Sequence, residues 1–443
     1  MGHLLPVSDK PTPFLEEVKG TVRTPPILAL PLELRELIYK EVLSDPSQGP
    51  QLLRACREIY TEANKFLFQR PMLFRGQTAL YRWLDQAPEI YLRHVTEIVL
   101  ELHDVDLRTL LVPISGSVTV NSMPRPTPWE LHEKELARLE EALQKLKNIK
   151  SFTLRALPER QSFFYREFMI KVLESMGSLY PTLSSLALEG NFHHQSLSFL
   201  SSFAELDSFS FDGSSSSSPT ETANILSKLT RLTNLSLVSQ HALLAPEMHQ
   251  HSSITSNPQS LTTPVLVAMK QLDSLSFTEP AHANTIPSLF FTAEVLASLR
   301  DHSTLNSLSI RTSHAPDTEA LEAFEDFLNS ASGIETLELD WPGLEPGMLE
   351  RHALLPEKIK DLWVRCEDVG KAFDIMWTVM ESIEAGDLKS INRLVLIRAA
   401  NVAGPRKDDN EPATDDSDEM NFARLKRNLH SLGVHTYWCT QSS

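Results

Sequence analysis

One pattern recurs along most of this chain and constrains its fold more than any other feature: L-x-x-L-x-L, with Ile, Val or Phe at some of the key places. The copies are Ile149-Phe152-Leu154, Leu183-Leu186-Leu188, Leu206-Phe209-Phe211, Leu232-Leu235-Leu237, Leu272-Leu275-Phe277, Leu305-Leu308-Ile310, Ile334-Leu337-Leu339, Ile359-Leu362-Val364 and Ile391-Leu394-Leu396. Val95-Ile98-Leu100 is a degenerate copy upstream. In each copy the last two apolar residues share parity, so an extended segment places both on one face of a sheet. Each unit is too short to bury that face alone, and neighbours must stack to do it.

Between the copies lie stretches with helical periodicity, at 131–147, 163–176, 287–301, 317–330, 368–384 and 419–431. Short strands alternating with helices predict parallel βα units. Successive copies start 34, 23, 26, 40, 33, 29, 25 and 32 residues apart. That spacing is irregular, but it lies near the period of leucine-rich repeats, about 20–29 residues. The expected fold class is α/β: a short N-terminal helical module, then an irregular leucine-rich-repeat solenoid of parallel strands alternating with helices over 71–443. The alternating stretch Val434-His435-Thr436-Tyr437-Trp438-Cys439 is expected to pair as its last strand.

Composition narrows the function. Lys and Arg number 41 against 58 Asp and Glu, a net charge of −17, which repels a phosphate backbone and argues against nucleic acid as a partner. Fifteen glycines in 443 residues leave little material for phosphate-cradling loops. Loop insertions are expected at 112–128, 212–220 and 240–264, an acidic one at 405–419, and a disordered arm at 1–24. The three cysteines, Cys56, Cys366 and Cys439, are far apart and form no disulfide framework or zinc ribbon, which suggests a reducing compartment. No leader-like or bilayer-length apolar run is found, so the protein is expected in the cytoplasm, the nucleus or both, with no membrane partner.

Near the N-terminus, apolar residues at 30, 34, 37, 38 and 42 trace a helical stripe, with Pro31 suited to a first helical position. After a turn at 45–50, Leu52, Leu53, Cys56, Ile59, Tyr60, Ala63, Phe66 and Leu67 trace a second helix. The residues Leu30-Pro31-x-Glu33-Leu34-x-x-x-Ile38-x-x-x-Val42-Leu43 and Leu52-Leu53-x-x-Cys56-Arg57-x-x-Tyr60-x-x-Ala63 resemble an F-box, in the F-box-like form of ascomycete fungi. The resemblance covers about 30–75, within a module placed at 25–70, and the segment around Leu73-Phe74-Arg75-Gly76 looks like its continuation. It implies docking on a Skp-type linker of a cullin–RING ubiquitin ligase through Leu30, Pro31, Leu34, Ile38, Leu53 and Cys56. The remaining domain would then capture a protein substrate. The alternative is a ligase-independent interaction scaffold in which the two helices only cap the solenoid.

In the array, residues between the inward-pointing pair face the open, concave side of the sheet. They are mostly small, as at Ala187, Ser210, Ser236, Ser276 and Ser309, until Glu338 and Trp363. Trp and Arg dominate binding hot spots, so Trp363, Arg365, Asp340 and Arg311 form the expected substrate-binding surface. The bland reading puts the Trp363 indole under a loop or a flanking helix. No G-x-S-x-G elbow, phosphate-binding loop, dinucleotide fingerprint or H-E-x-x-H occurs. His193-His194 and His249-x-His251 lack companion carboxylates and read as surface histidines, and Cys56 as a packed thiol. Neither catalysis, metal nor cofactor is expected.

Overall fold

A computed structural model describes residues 26–44, 50–105, 127–157, 162–190, 192, 195–213, 215–238, 263–279, 288, 291–331, 333–351, 353–398 and 416–440. The chain divides into two compact units, Met1–Arg70 and Pro71–Ser443. In the first, a 3-10 turn at Pro26–Ala29 leads into α1 (Leu32–Ser44), and another at Pro50–Arg54 leads towards α2 (Arg57–Leu67). Pro31 stands before α1 rather than in its first turn, and its carbonyl accepts the N–H groups of Leu34 and Arg35. The second expected helix is broken at Cys56. That residue is extended (φ −160°, ψ 167°), and its Sγ accepts the Ile59 N–H at 3.5 Å, so it caps α2 instead of riding on its apolar stripe.

Tyr39, Leu43, Leu53, Ile59, Ala63 and Phe66 make the core of this unit. Tyr60, expected inside, is exposed. So is most of the expected α1 stripe: Leu30, Leu34, Leu37 and Ile38 face out while Tyr39 and Leu43 face in. Leucine recurs so often in α1 that two of its faces are apolar, and periodicity does not say which one is buried.

In the second unit twelve parallel strands form one sheet in sequence order. They are β1 (Met72–Arg75), β2 (Glu97–Glu101), β3 (Ser151–Arg155), β4 (Ser185–Glu189), β5 (Ser208–Asp212), β6 (Asn234–Val238), β7 (Ser274–Thr278), β8 (Ser307–Arg311), β9 (Thr336–Asp340), β10 (Asp361–Cys366), β11 (Arg393–Arg398) and β12 (His435–Thr440). The helices between them are α3 (Gln77–Gln86), α4 (Glu89–Leu92), α5 (Pro128–Gln144), α6 (Phe163–Leu179), α7 (Pro219–Leu226), α8 (Thr263–Ala268), α9 (Ala293–Leu299), α10 (Thr318–Ser330), α11 (Pro346–Arg351), α12 (Val369–Ala385) and α13 (Asp416–Ser431). Each L-x-x-L-x-L copy carries a strand, and the α/β solenoid is the architecture. The sheet begins before the degenerate copy at Val95: β1, inside the expected solenoid span but in a segment read only as a continuation of the F-box-like residues, pairs with β2 from Met72↔Ile98 to Arg75↔Glu101.

Register explains the repeat. The last apolar residue of each copy joins one buried row, including Leu154, Leu188, Phe211, Leu237 and Phe277, with Cα partners strand to strand. The first apolar residue, from Ile149 to Ile391, is buried at the turn into its strand. At that turn a backbone ladder crosses the repeats: the Thr233 carbonyl accepts the N–H groups of Asp273 and Ser274, the Asp273 carbonyl those of Asn306 and Ser307, and the Asn306 carbonyl those of Glu335 and Thr336. Where β4 ends, Gly190 takes φ +95°, and a Cβ there would lie 2.5 Å from the Ala156 carbonyl oxygen. Only glycine fits that turn.

The serine stretch in 212–220, expected as a loop, is largely organised. Ser215 forms an isolated parallel bridge with Gln195, Ser215 and Ser217 are buried, and the Ser218 hydroxyl caps α7 by accepting the Glu221 N–H at 3.2 Å. Helices begin inside the three other expected insertions, with α5 at Pro128, α8 at Thr263 and α13 at Asp416. The rest of 112–128, 240–264 and 405–419, the arm 1–24 and His193, His194, His249 and His251 lie outside the described residues, save for residues 127 and 128, 263 and 264, and 416–419.

Candidate functional site

In the first unit the site is built around Arg35. Its Nε donates to Glu62 Oε2 at 3.0 Å and its Nη2 to Glu62 Oε1, while Nη1 donates to the carbonyls of Leu28 at 3.1 Å and Leu30 at 3.0 Å. Both charged side chains are largely buried. The guanidinium therefore ties the lead-in Leu28–Leu30 to α2, and the carboxylate that holds it raises its pKa further. Tyr39 Oη donates to the same carboxylate at 3.1 Å. Burial, then that bond, pushes the Tyr39 phenol up to about 12.

With this lead-in held, Leu30, Pro31, Leu34 and Ile38 are at the surface, Leu34 and Ile38 on one face of α1 with Leu37. Leu34 is 48% exposed and Leu37 64%. Two residues expected on that surface are elsewhere: Leu53 is in the core, and Cys56 packs against the core while capping α2. The reason is the break between the 3-10 turn and α2, which turns both inward. Leu37, part of the expected stripe but not of the expected contacts, lies on the exposed face instead.

On the open face of the sheet, one register row runs from Leu73 and Val99 through Ala187, Ser210, Ser236, Ser276 and Ser309 to Glu338, Trp363, Val395 and Tyr437. The four expected substrate residues do come together, on β8, β9 and β10. Their charges, however, are already engaged. Arg311 Nε donates to Glu338 Oε1 at 2.8 Å, and Ser309 Oγ to Glu338 Oε2 at 2.7 Å. Arg365 Nη1 donates to Asp340 Oδ1 at 3.1 Å, and Asp340 is buried. Asp340 thus sits beneath the face as a counter-charge for Arg365, not on it as a contact. Trp363 is half-buried beside Val395, which is buried although it faces the open side, and Tyr437 next to it is exposed. The surface that remains is aromatic and apolar with paired charges at its side, suited to contact area rather than to proton transfer.

Cys366 is buried, and burial pushes its thiol up to about 12. Among the described residues no group of three or more His, Cys, Asp and Glu side chains is placed to hold a metal ion, and no helix is long and apolar enough to cross a membrane.

No family model matches the chain, and no curated protein does. Among solved structures, the Rad7 and Elc1 complex in yeast aligns at 12% identity over 87% of this chain and 91% of that chain, with a TM-score of 0.38. A structure of the IOLI protein with a binding zinc atom aligns at 13% identity over 59% of this chain and 88% of that chain, with a TM-score of 0.20. Likenesses this distant carry no argument about activity.

Proposed function

We propose that the protein is a substrate-recognition adaptor of a cullin–RING ubiquitin ligase. The N-terminal unit docks on a Skp-type linker, and the open face of the repeat sheet holds a protein target. The chain has no chemistry of its own in this reading. It supplies position, in the cytoplasm or the nucleus, and partner enzymes transfer the ubiquitin. The observation that carries the reading is the second apolar face of α1. The core of that unit is filled by Tyr39, Leu43, Ile59, Ala63 and Phe66, yet Leu30, Leu34, Leu37 and Ile38 stay exposed. A patch of that kind marks an interaction site.

The test is co-purification of the whole chain with a Skp-type linker, followed by titration. The wild-type chain is expected to bind. Leu34→Asp is expected to weaken binding by about thirtyfold or more, the effect of losing an anchor worth ~2 kcal/mol. Its melting temperature should be unchanged, because Leu34 lies outside the core. A wild-type chain that does not bind the linker would overturn the adaptor reading and leave the interaction scaffold.

A further inference from the structure

A second exposed apolar stripe lies on α12. Val369, Phe373 and Trp377 follow one another at intervals of four residues and so share one face of the helix. Val369 is 39% exposed and Trp377 45%, and the rings of Phe373 and Trp377 stack with centroids 6.3 Å apart. The opposite side of α12 does the structural work, burying Ala372, Ile375, Met376 and Val379. Between this stripe and α13 opens a cavity of about 210 Å³, lined among the described residues by Val369, Gly370, Phe373, Asp374 and Asn421.

Carboxylates border the cavity along α12. Asp374 lines it, and Glu381 and Glu384 are exposed along the same helix. On α13 the bases Arg424, Lys426 and Arg427 follow Asn421, so the acidic side of the cavity is the α12 side. Lys371 is already engaged by Glu367, which its ammonium holds below the usual carboxylate range. The positive helix start is taken by Asp368, whose Oδ1 accepts the Lys371 N–H at 2.7 Å.

We propose that this groove docks a short basic amphipathic segment of a partner protein. One apolar side chain enters the cavity beside Phe373, a second lies along Trp377, and Lys or Arg side chains meet Asp374 and Glu381. Charge selects this occupant over the others. An anionic membrane or a nucleic acid would be repelled by the acidic rim, and a second copy of the chain docked by its own groove would set Asp374 and Glu381 against their like. The inference does not depend on the adaptor reading, since it concerns the other unit and a different surface.

The test uses two synthetic helical peptides with the same leucine spacing, one carrying lysine at every polar position and the other glutamate, titrated calorimetrically into the whole chain. The lysine peptide is expected to bind and the glutamate peptide not. Trp377→Ala and Asp374→Lys are each expected to weaken the lysine peptide by about tenfold or more, with melting temperatures unchanged because both side chains are at the surface. Glu89→Lys, an exposed charge reversal on α4, and Leu34→Asp are expected to leave it alone. The proposal is overturned if the lysine peptide does not bind, if Trp377→Ala binds it as well as wild type does, or if Glu89→Lys weakens it as much as Asp374→Lys does.

Discussion

At the scale of single residues, the Glu62 carboxylate organises the N-terminal unit, taking two bonds from Arg35 and one from Tyr39. The tyrosine makes this testable by pH. A free phenol titrates near 10, and Tyr39 is raised to about 12 in the folded unit by burial and by its bond to Glu62. A folded-state value above the unfolded one means that folding favours the protonated phenol. Its stabilisation is therefore complete below about pH 10 and is lost as pH rises towards about 12. Tyr39→Phe is expected to cost about 1.5 kcal/mol at neutral pH, the worth of a hydrogen bond to a charged group. Between pH 10 and 12 the stability of the variant should fall less than that of wild type. Thermal melts across this window check it, with Tyr165, also raised to about 12, present in both proteins. The partners of Arg35 lie 27 residues away in Glu62 and in backbone carbonyls of the lead-in. No local pattern announces a pair that distant, which is why the N-terminal leucines were legible in sequence but not the face they occupy.

At the scale of elements, several helices start on side-chain caps that a sequence read for apolar periodicity passes over. Ser162, Ser218, Thr292, Asp317 and Asp368 each accept the N–H three residues on, and Thr127 forms a reciprocal capping box with Glu130. Ser218 shows what composition hides. It belongs to a run of serines that reads as a loop, yet it sets the start of α7. Ser218→Ala is expected to cost ~1 kcal/mol and to speed amide exchange in the first turn of α7. Ser216→Ala, two residues earlier and exposed, should stay within about 0.5 kcal/mol of wild type. Melting curves and exchange of the two variants separate a specific cap from a generic serine loop. Strand positions were legible for the opposite reason: each L-x-L alternation is a local record of which face is buried, and β2 to β11 follow it. The strand β1 was missed because a four-residue segment with two inward side chains carries too short a record.

At the scale of the whole molecule, the second unit is a one-dimensional stack, each strand hydrogen-bonded to the strands of the repeats before and after it. Its stability should therefore be set by nearest neighbours. Leu275, fully buried in β7, pairs with Leu235 on one side and Leu308 on the other. Leu275→Asp is expected to cost roughly 4 kcal/mol or more by placing an unpaired charge in the core. Amide exchange should rise first in β6, β7 and β8, while β2, β3 and β11 keep their protection; uniform loss of protection would contradict a nearest-neighbour stack. The open face was legible in part. Parity alone placed Arg311, Asp340, Trp363 and Arg365 on adjacent strands, but parity does not say that Asp340 is buried under Arg365 or that Glu338 engages Arg311. What the sequence determined by itself is the repeat, its parity and hence the parallel α/β stack, because those follow from short-range alternation between burial and exposure. Which apolar face of α1 stays exposed, which charges on the sheet are already paired, and where α12 exposes Trp377 beside a cavity were decided by tertiary structure alone. Each depends on groups far apart in the chain, whose competition for the same partners is settled only when they meet.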